Sequence, residues 1–523
     1  MTRHAEQDFL QLEVAWNTLI SIASEQAATM VNSSFSAVLG EMEDLSAGVF
    51  DAAGTMMAQS VQGAPGHLGS LSLGMKHFCK AFPEKELASG DVLITNDPWL
   101  VSGHKHDITV VTPVFLGKKL VGFTASNCHT VDVGGRIFSA AGTDVYEEGL
   151  QIPMMKLFER GKRDKTLFKI IENNVRSPDL VLGDLMAQVS ANETAARRLV
   201  DFMQQSGLKD LRPLSLAITQ RTERFMRRAI KAVPDGEYSD RIVLDGFEQP
   251  LHIAVKLTVK GSRIIVDYEG TSPQVAKGIN SVLNYTRAFT QYALKCLLAP
   301  DSPNNDGSFA AIDVRAPEGS IVNASFPAPV GGRHLVGLYI PFAIFGAMKS
   351  VLPDRVVADS SVLSAVTLSG VDDASKPYVF TFFSSGGMGA RANKDGLDAT
   401  AFPSNVANVP VEVMEQSVPV LMLQRELIAN SFGQGQHRGG AGQRIGLKLR
   451  TERPAAVSCM VERTTSAPRG FFGGGAGHPA RLLIDDAPID PKQSHALKPG
   501  QSLVLETPGG GGYGSSVNGE PHA

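Results

Sequence analysis

Cysteine is scarce in this chain of 523 residues, which has only four: Cys79, Cys128, Cys296 and Cys459. They lie far apart, and none belongs to a Cys-x-x-Cys pair. Zinc ribbons need closely spaced cysteine pairs, and secreted disulfide frameworks need many cysteines in a short chain. The pattern therefore argues against both classes of protein and favours a reducing compartment.

Targeting segments and strongly charged runs are also missing. Residues Met1 to Phe9 carry several charges and no apolar core, so we predict no signal peptide. No apolar run approaches the ~20 residues of a membrane span. The formal net charge is −4 and no basic run occurs, which argues against nucleic acid and membranes as partners. A cytoplasmic location is the simplest expectation.

Glycine, in contrast, is abundant, with 52 residues. It clusters at Gly386-Gly387, Gly439-Gly440, Gly473–Gly475 and Gly509–Gly512. Such clusters indicate tight turns or close approach of backbone segments. Because 43% of the residues are apolar and 20% are charged, the composition is typical of a globular protein with a large core.

Helical and strand-like apolar patterns alternate along the chain. Helices are predicted over residues 6–32, 178–232 (interrupted near Gly207 and Pro213) and 280–298, with Asp179 as a candidate helix cap. Strands are predicted within 35–50 (broken at 41–44) and over 91–95, 107–115, 120–125, 252–259 and 263–268. This mixture predicts an α+β (mixed α/β), multi-domain fold with several mixed sheets and flanking helices, and no single Rossmann or TIM series.

Changes in sequence texture divide the chain into three predicted domains. Residues 1–233 form an N-terminal domain whose last part is helical. Residues 234–410, which begin at the turn Pro234-Asp235-Gly236, form a central α/β domain. Residues 411–523 form a glycine-rich β domain, and the boundary before them, near 400–430, is the weaker of the two.

A cluster of potential metal ligands lies in the N-terminal domain. His104 and Asp107 occupy a polar loop that opens into a strand, and His129 follows the next strand. A β-hairpin of these two strands would return His129 close to His104. Imidazoles with a carboxylate suit a divalent ion such as zinc, manganese or iron, and an open position would allow Lewis-acid chemistry. Asp132 is a candidate further ligand, or a group that orients a ligand.

The alternative interpretation is that this cluster is surface polar sequence. His106 would point to the opposite strand face from Asp107, so we expect it to be structural or solvent-exposed. His67 either lines a pocket or belongs to the core. The segments Gly386–Arg391 and Thr507–Tyr513 lack the P-loop ending and the context of a dinucleotide fingerprint, so we interpret them as structural turns. Cys128 follows an apolar strand and is expected to be a buried thiol.

Several motifs, in order and over most of the chain, resemble the hydantoinase B/oxoprolinase B family, which also contains a large subunit of acetone carboxylase. The N-terminal matches are residues 41–46, 50–51, 67–70, 96–99, 104–109 and 129–135. The later ones are residues 270–274, 303–307, 408–412, 438–442 and 507–514. This chain departs from the family pattern at three positions, with His106 for proline, Thr130 for a second histidine and Met42 for arginine.

The resemblance implies a metal ligand set and a reaction. The ligands would be His104, Asp107 and His129, with Asp44 as the fourth. The catalytic candidates are Asp44, Asp132 and His67. The family resemblance implies an ATP-dependent hydrolase of cyclic amides, whose partner, an A-type ATPase, holds ATP and Mg and phosphorylates the amide oxygen. The B-type component then carries one divalent ion (Zn, Mn or Fe) and hydrolyses the intermediate. An A2B2 hetero-oligomer is expected, inactive without the A-type partner.

Two other functions remain open from the sequence. An acetone carboxylase-like enzyme would use a related metal site to join an activated ketone and carbonate, but its metal subunit is usually larger than this chain and needs a third small subunit. A non-catalytic scaffold for an ATPase partner would bind no metal. The sequence does not distinguish among hydantoins, 5-oxoproline and caprolactam-like rings as substrates.

Overall fold

The computed structural model describes the backbone of residues 3–515, and the side chains of that range except residues 3–9 and Leu68. The strands in this range form four open sheets, and helices pack around them. The predicted α+β class with several sheets and flanking helices is confirmed. Adjacent strands run antiparallel throughout the described range except for one pair in the second sheet.

The N-terminal part of the chain builds one seven-stranded antiparallel sheet. Its helices are α1 (Arg3–Asn32), α2 (Ala37–Gly40), α3 (Pro65–Ala81), α4 (Lys165–Asn174), α5 (Pro178–Gln205) and α6 (Arg212–Lys231). Its strands are β1 (Leu45–Asp51), β2 (Met56–Gln59), β3 (Val92–Thr95), β4 (Asp107–Leu116), β5 (Lys119–His129), β6 (Met155–Glu159) and β7 (Lys162–Arg163). The strand order is β2-β1-β5-β4-β3-β6-β7.

This sheet is covered on both faces, because successive strand residues point to opposite sides. In β1, Val49 packs with α1 and α5 residues such as Trp16 and Leu199. Its neighbour Phe50 packs on the other side against Phe78 and other α3 side chains. The start of β4, with Asp107, and the end of β5, with His129, therefore lie in a sheet between two helical layers.

The central part of the chain forms a second sheet and a helical layer. Its elements are β8 (Gly236–Leu244), β9 (Leu251–Lys260), β10 (Arg263–Asp267), α7 (Leu283–Leu298), β11 (Ile312–Arg315), α8 (His334–Gly337), α9 (Ile340–Met348), β12 (Ser364–Val371) and β13 (Pro377–Ser384). The second sheet has the order β11-β10-β9-β8, with β10 and β11 parallel. Helix α7 packs closely on α3, where a Cβ added to Gly66 would lie 2.4 Å from the Tyr285 ring.

The remaining elements complete the third and fourth sheets. They are α10 (Val411–Ser417), β14 (Val420–Leu427), β15 (Gln443–Leu449), β16 (Ala455–Met460), β17 (Arg481–Ile484), β18 (Ala487–Pro488), β19 (Ser494–Leu497) and β20 (Ser502–Glu506). The third sheet has the order β13-β12-β16-β19, and the fourth β14-β15-β20-β17-β18. Since the third sheet takes strands from both sides of residue 410, the three-domain division remains a prediction.

The glycine-rich segments lie beside one another and are joined by backbone hydrogen bonds. Gly510 N donates to Gly440 O at 2.9 Å, and Gly440 N donates to Met388 O at 2.8 Å. A Cβ added to Gly510 would lie 2.0 Å from Met388 O, and one added to Gly387 would lie 1.8 Å from Gly440 O. The glycines at these positions therefore serve close backbone approach. Their structural role agrees with the sequence interpretation, and of its two alternatives, tight turns or close approach of backbone segments, these glycines show close approach.

Two local predictions were wrong in detail. The strand-like run at 35–50 begins as the short helix α2, because Ser36 caps it by accepting from Leu39 N, and the strand starts only at Leu45. The cap residue of α5 is Ser177, so Asp179 lies in the first turn instead. No helix in residues 3–515 is long and apolar enough to cross a lipid bilayer.

Candidate metal centre

Two neighbouring strands bring Asp107 and His129 side by side. Asp107 is the first residue of β4, His129 is the last residue of β5, and the two are direct partners in the antiparallel register. His129 Nδ1 lies 3.1 Å from Asp107 Oδ1. The predicted hairpin that returns His129 to the start of the preceding strand is confirmed.

His104 joins this pair from the loop before β4. Its Nε2 lies 2.6 Å from Asp107 Oδ1, and its Nδ1 donates to Gly331 O at 2.8 Å. One nitrogen or oxygen from each of the three side chains lies within 4.8 Å of the other two, and all three residues are buried. The three residues predicted from the sequence as ligands therefore converge.

Asp44 and His67 lie beside the trio. His67, in the first turn of α3, donates from Nε2 to Asp107 Oδ2 at 2.8 Å, and its Nδ1 lies 3.6 Å from Asp44 Oδ1. Asp44 Oδ2 is 3.9 Å from His129 Nδ1. His67 thus lines the pocket and is buried as well, so both interpretations made from the sequence hold.

Arg333 is the site residue that sequence reasoning missed. Its Nη2 donates to Asp107 Oδ2 at 2.5 Å and its Nε to Ser102 O at 2.5 Å. The guanidinium also lies over the Tyr285 ring, 4.0 Å from the centroid. The only signal in the sequence is an arginine after Gly331-Gly332, which does not reveal a partner 226 residues away.

Charge and burial fix the protonation states here. Burial alone would raise the pKa of Asp107, but Arg333 and the neighbouring imidazoles hold it well below its usual value. Burial, with the charge of Arg333, lowers the pKa of His104 to about 3. For His67, burial lowers the pKa, but Asp107 and Asp44 outweigh it and the pKa is raised. His104 is therefore a neutral imidazole beside a carboxylate.

The donor atoms of this site fit a divalent cation. A neutral imidazole has one N–H, and His104 donates it from Nδ1 to Gly331 O. Its Nε2 then presents a lone pair to Asp107 Oδ1 at 2.6 Å. Two lone pairs that face each other at this distance repel unless they share a positive group. A carbonyl that fixes the far nitrogen of a histidine is also typical of metal ligands.

A small cavity of about 40 Å³ is lined by Asp44, His67, His104, His129 and Arg333. Besides the residues above, its walls include Phe138, Phe289, His334, Phe383 and Ser404. One water needs roughly 10–15 Å³ by this measure. The cavity has room for an ion with a water or two, and a cyclic amide ring needs additional space.

Comparison with known proteins agrees with this geometry. The model of the hydantoinase B/oxoprolinase family matches residues 8–516. The chain belongs to this family. It is 30% identical to the B component of a putative D-/L-hydantoinase of Pseudomonas sp. (strain NS671), over 98% of this chain and 91% of that protein.

Two solved structures share the fold of this hydantoinase B/oxoprolinase member. An ATP-dependent caprolactamase from Pseudomonas jessenii has a TM-score of 0.89 and 28% identity, over 97% of this chain and 91% of that one. An acetone carboxylase in its nucleotide-free form has a TM-score of 0.89 and 16% identity, over 97% of this chain and 76% of that one. At this lower identity the second likeness concerns the fold alone.

Asp132 is not brought to the centre of this hydantoinase B-type chain. Its Oδ1 accepts from Arg176 Nη1 at 2.7 Å and from Gly134 N at 3.0 Å, and Arg176 N donates to Oδ2. Both carboxylate oxygens of Asp132 are thus hydrogen-bonded to Gly134 and Arg176. Its predicted roles as base or as ligand partner receive no geometric support.

The expectations for two other residues near the centre, His106 and Cys128, can be compared with the structure. His106 is only 2% exposed and lies parallel to the His129 ring at a centroid distance of 5.4 Å. The solvent-exposed alternative for His106 was therefore wrong. Cys128 is buried, as expected, and burial raises the pKa of its thiol well above the usual value, which makes it a poor nucleophile.

Proposed function

We propose that this chain is the metal-carrying B-type component of an ATP-dependent cyclic amidase. It would hydrolyse a lactam or hydantoin ring after an A-type partner has phosphorylated the amide. The observation that carries the proposal is the convergence of the buried residues His104, Asp107 and His129 beside a small cavity that the two histidines line. The likeness to a caprolactamase over nearly the whole chain supports the choice of substrate class.

The metal would be held by His104, Asp107 and His129. A divalent ion there (Zn, Mn or Fe) supplies Lewis-acid polarisation of the reacting group when it is bound. Asp44 is the fourth candidate ligand, and its carboxylate oxygens lie 3.6 Å from His67 Nδ1 and 3.9 Å from His129 Nδ1. The donor atoms that all lie within 4.8 Å of one another are those of His104, Asp107 and His129, without Asp44. We therefore assign Asp44 to proton transfer.

The chemistry starts from the phosphorylated imidate made in the partner. A water oxygen bonds to the imidate carbon while its proton passes to Asp44. Asp44 passes this proton to the ring nitrogen. The ring carbon–nitrogen bond then breaks as the new hydroxyl group on the carbon releases its proton, and the leaving nitrogen takes that second proton and becomes an amine. The resulting open-chain acyl phosphate is hydrolysed by a second water to a carboxylate and phosphate. His67 and Arg333 keep the Asp107 carboxylate in place throughout, because both hydrogen-bond to its Oδ2.

The ATP site, with its Mg, is assigned to an A-type ATPase partner. The glycine-rich segments of this chain are packed against their own backbone and leave no cradle for phosphates there. Relatives are named as the B component of a hydantoinase and the beta component of a caprolactamase, which fits a two-component enzyme. We propose an A2B2 complex, whose stoichiometry can be measured by light scattering.

Reconstitution tests the function directly. The purified chain, with and without its A-type partner, is given ATP and a panel of hydantoins, 5-oxoproline and caprolactam-like rings, while ADP and the ring-opened product are measured. We expect ring opening only from the complex and only with ATP. Full activity from the lone chain would refute the division of labour.

Two other outcomes would replace the proposal. Incorporation of labelled bicarbonate into a ketone, with no ring opening, would identify a carboxylase of the acetone carboxylase kind. Absence of stoichiometric metal after purification and metal reconstitution would favour a non-catalytic scaffold for the ATPase. Elemental analysis of the wild-type chain and of His104→Ala separates the scaffold from both enzymes.

A further inference from the structure

Another histidine lines the cavity without being part of the ligand trio. His334 is the first residue of α8 and lies directly after Arg333. It is 5% exposed, and its buried Nε2 has no hydrogen-bond partner among the described residues. The group of metal-ligand donors found in the described range consists of His104, Asp107 and His129, without His334.

A purely structural role leaves this nitrogen unexplained. Buried polar atoms are nearly always hydrogen-bonded, and an orphan costs roughly 1–3 kcal/mol. His106 has two orphan nitrogens, but it lies behind the ligands and not in the cavity wall. His334 combines an orphan nitrogen with a place in the wall, which is what a substrate-binding group requires before substrate arrives.

The surroundings of His334 keep its ring uncharged. Burial, together with the charge of Arg333, lowers the pKa of His334 well below the usual value for histidine. The ring therefore offers one N–H donor and one lone pair at neutral pH. The phosphorylated imidate that reacts at this site has a ring nitrogen with a lone pair, which an imidazole N–H can meet.

The position of His334 is fixed relative to the ligands. Arg333, the preceding residue, is tied to Asp107 and to Ser102 O. Gly331 O, two residues earlier, accepts from His104 Nδ1. The short segment 331–334 thus contacts a ligand at one end and presents His334 to the cavity at the other.

We propose that His334 is a substrate-contacting residue, and that its Nε2 forms a hydrogen bond to the ring nitrogen of the phosphorylated cyclic substrate. The interaction holds the carbon–nitrogen bond that is broken beside the ligand trio. This inference rests on the function proposed above and adds a binding group to that same site.

Matched variants of the reconstituted complex test the assignment. His334→Phe keeps an aromatic ring and removes both nitrogens. His334→Gln and His334→Met have similar length and differ in their ability to form hydrogen bonds. His252→Phe is the control, since His252 bonds to Gly270 O and Ser272 Oγ away from the cavity. Each variant is assayed for kcat, KM, bound metal and ATP consumed per ring opened.

We expect His334→Phe to lower kcat/KM for ring opening by about 100-fold or more, as for other oriented hydrogen-bond donors. Metal content should stay at the wild-type value. ATP consumed per ring opened should rise, because phosphorylation takes place in the partner. His334→Gln should be at least about tenfold more active than His334→Met, and His252→Phe should match the wild type.

Three results would overturn the inference. Ring opening by His334→Phe at more than half the wild-type rate would refute the proposed contact between His334 and the substrate. Loss of metal in proportion to activity would make His334 a ligand or a purely structural residue. Equal activity of the Gln and Met variants would show that no hydrogen bond from residue 334 to the substrate contributes. The comparison of these two variants can be made even if the Phe variant does not fold. A wild-type complex that opens no cyclic amide would instead refute the proposed function itself.

Discussion

Asp107 contacts more of the site's charged and polar side chains than its neighbours do. Replacing it with asparagine should change both metal affinity and the free energy of unfolding, and a control variant can tell the two effects apart. Asp107 is fully buried. Its Oδ1 meets His104 and His129, and its Oδ2 accepts from His67 and Arg333. Asp107→Asn keeps the shape of the side chain but removes its charge and one acceptor oxygen.

Two losses of known size follow. Arg333 would become a buried cation without a counter-charge, which costs about 3–5 kcal/mol of stability. The metal would lose its only carboxylate ligand among the assigned trio. Since even a group that merely orients a ligand contributes about 10–100-fold to metal affinity, we expect Asp107→Asn to weaken metal binding by at least about 100-fold.

A matched control lies elsewhere in the chain. Asp359 is also fully buried, and its Oδ2 lies 2.8 Å from Arg469 Nε and 3.6 Å from Arg463 Nη2. Asp359→Asn should therefore lower the urea midpoint to a similar extent as Asp107→Asn. It should leave the metal affinity unchanged, because none of these groups belongs to the trio.

Metal affinity is measured by titrating metal-free protein with Zn²⁺ against a competing chelator, and stability by urea unfolding followed by circular dichroism. The two variants should lose comparable stability, and only Asp107→Asn should lose metal affinity. Wild-type metal affinity in Asp107→Asn would refute the assigned ligand set. Equal loss of metal in Asp359→Asn would show that affinity merely follows stability.

Three further predictions concern other parts of the chain. Gly510→Ala should lower the urea midpoint strongly, since its Cβ would lie 2.0 Å from a backbone carbonyl oxygen, whereas Gly142→Ala should be neutral, because its nearest atom is 3.7 Å away. Burial raises the pKa of Glu148 from 4.5 to about 8, so the folded chain holds a proton there that the unfolded chain has lost. Stability should fall as pH rises from about 4.5 to about 8, and Glu148→Gln should flatten that part of the urea-midpoint profile. Asp44→Asn should abolish ring opening with metal retained, whereas Asp132→Asn should keep most of the activity, because an arginine already engages its carboxylate; equal loss in both would contradict the choice of base.

The local part of the site was predictable from the sequence for a physical reason. Two apolar β-branched runs separated by a short polar turn favour a hairpin. A hairpin places the first residue of one strand opposite the last residue of the next, which is the relation of Asp107 to His129. His104 lies in the loop directly before β4, three residues before Asp107, so its place near the pair followed from the same strand assignment.

The distant part of the site was not predictable in this way. Arg333 and His334 have no periodic apolar context that reveals which strand end they approach, and their position depends on how the segment 331–334 packs against the first sheet. The glycine clusters show the same limit. Their composition indicated tight turns or close backbone approach, and which of the two occurs depends on contacts between segments more than 100 residues apart, such as Met388 and Gly510.

A truncated chain shows what the distant residues contribute. Residues 1–233, the predicted N-terminal domain, contain Asp44, His67 and the ligand trio, but the carbonyl that orients His104 and the guanidinium that neutralises Asp107 come from residues 331 and 333. We therefore expect this fragment to bind Zn²⁺ at least about 10–100-fold more weakly than the full chain, the range typical of lost orienting groups. The comparison uses the same chelator titration, with circular dichroism to check that the fragment retains its helices and strands. A folded fragment that binds metal as tightly as the full chain would mean that the hairpin and its loop suffice, and that the central segment serves the substrate alone.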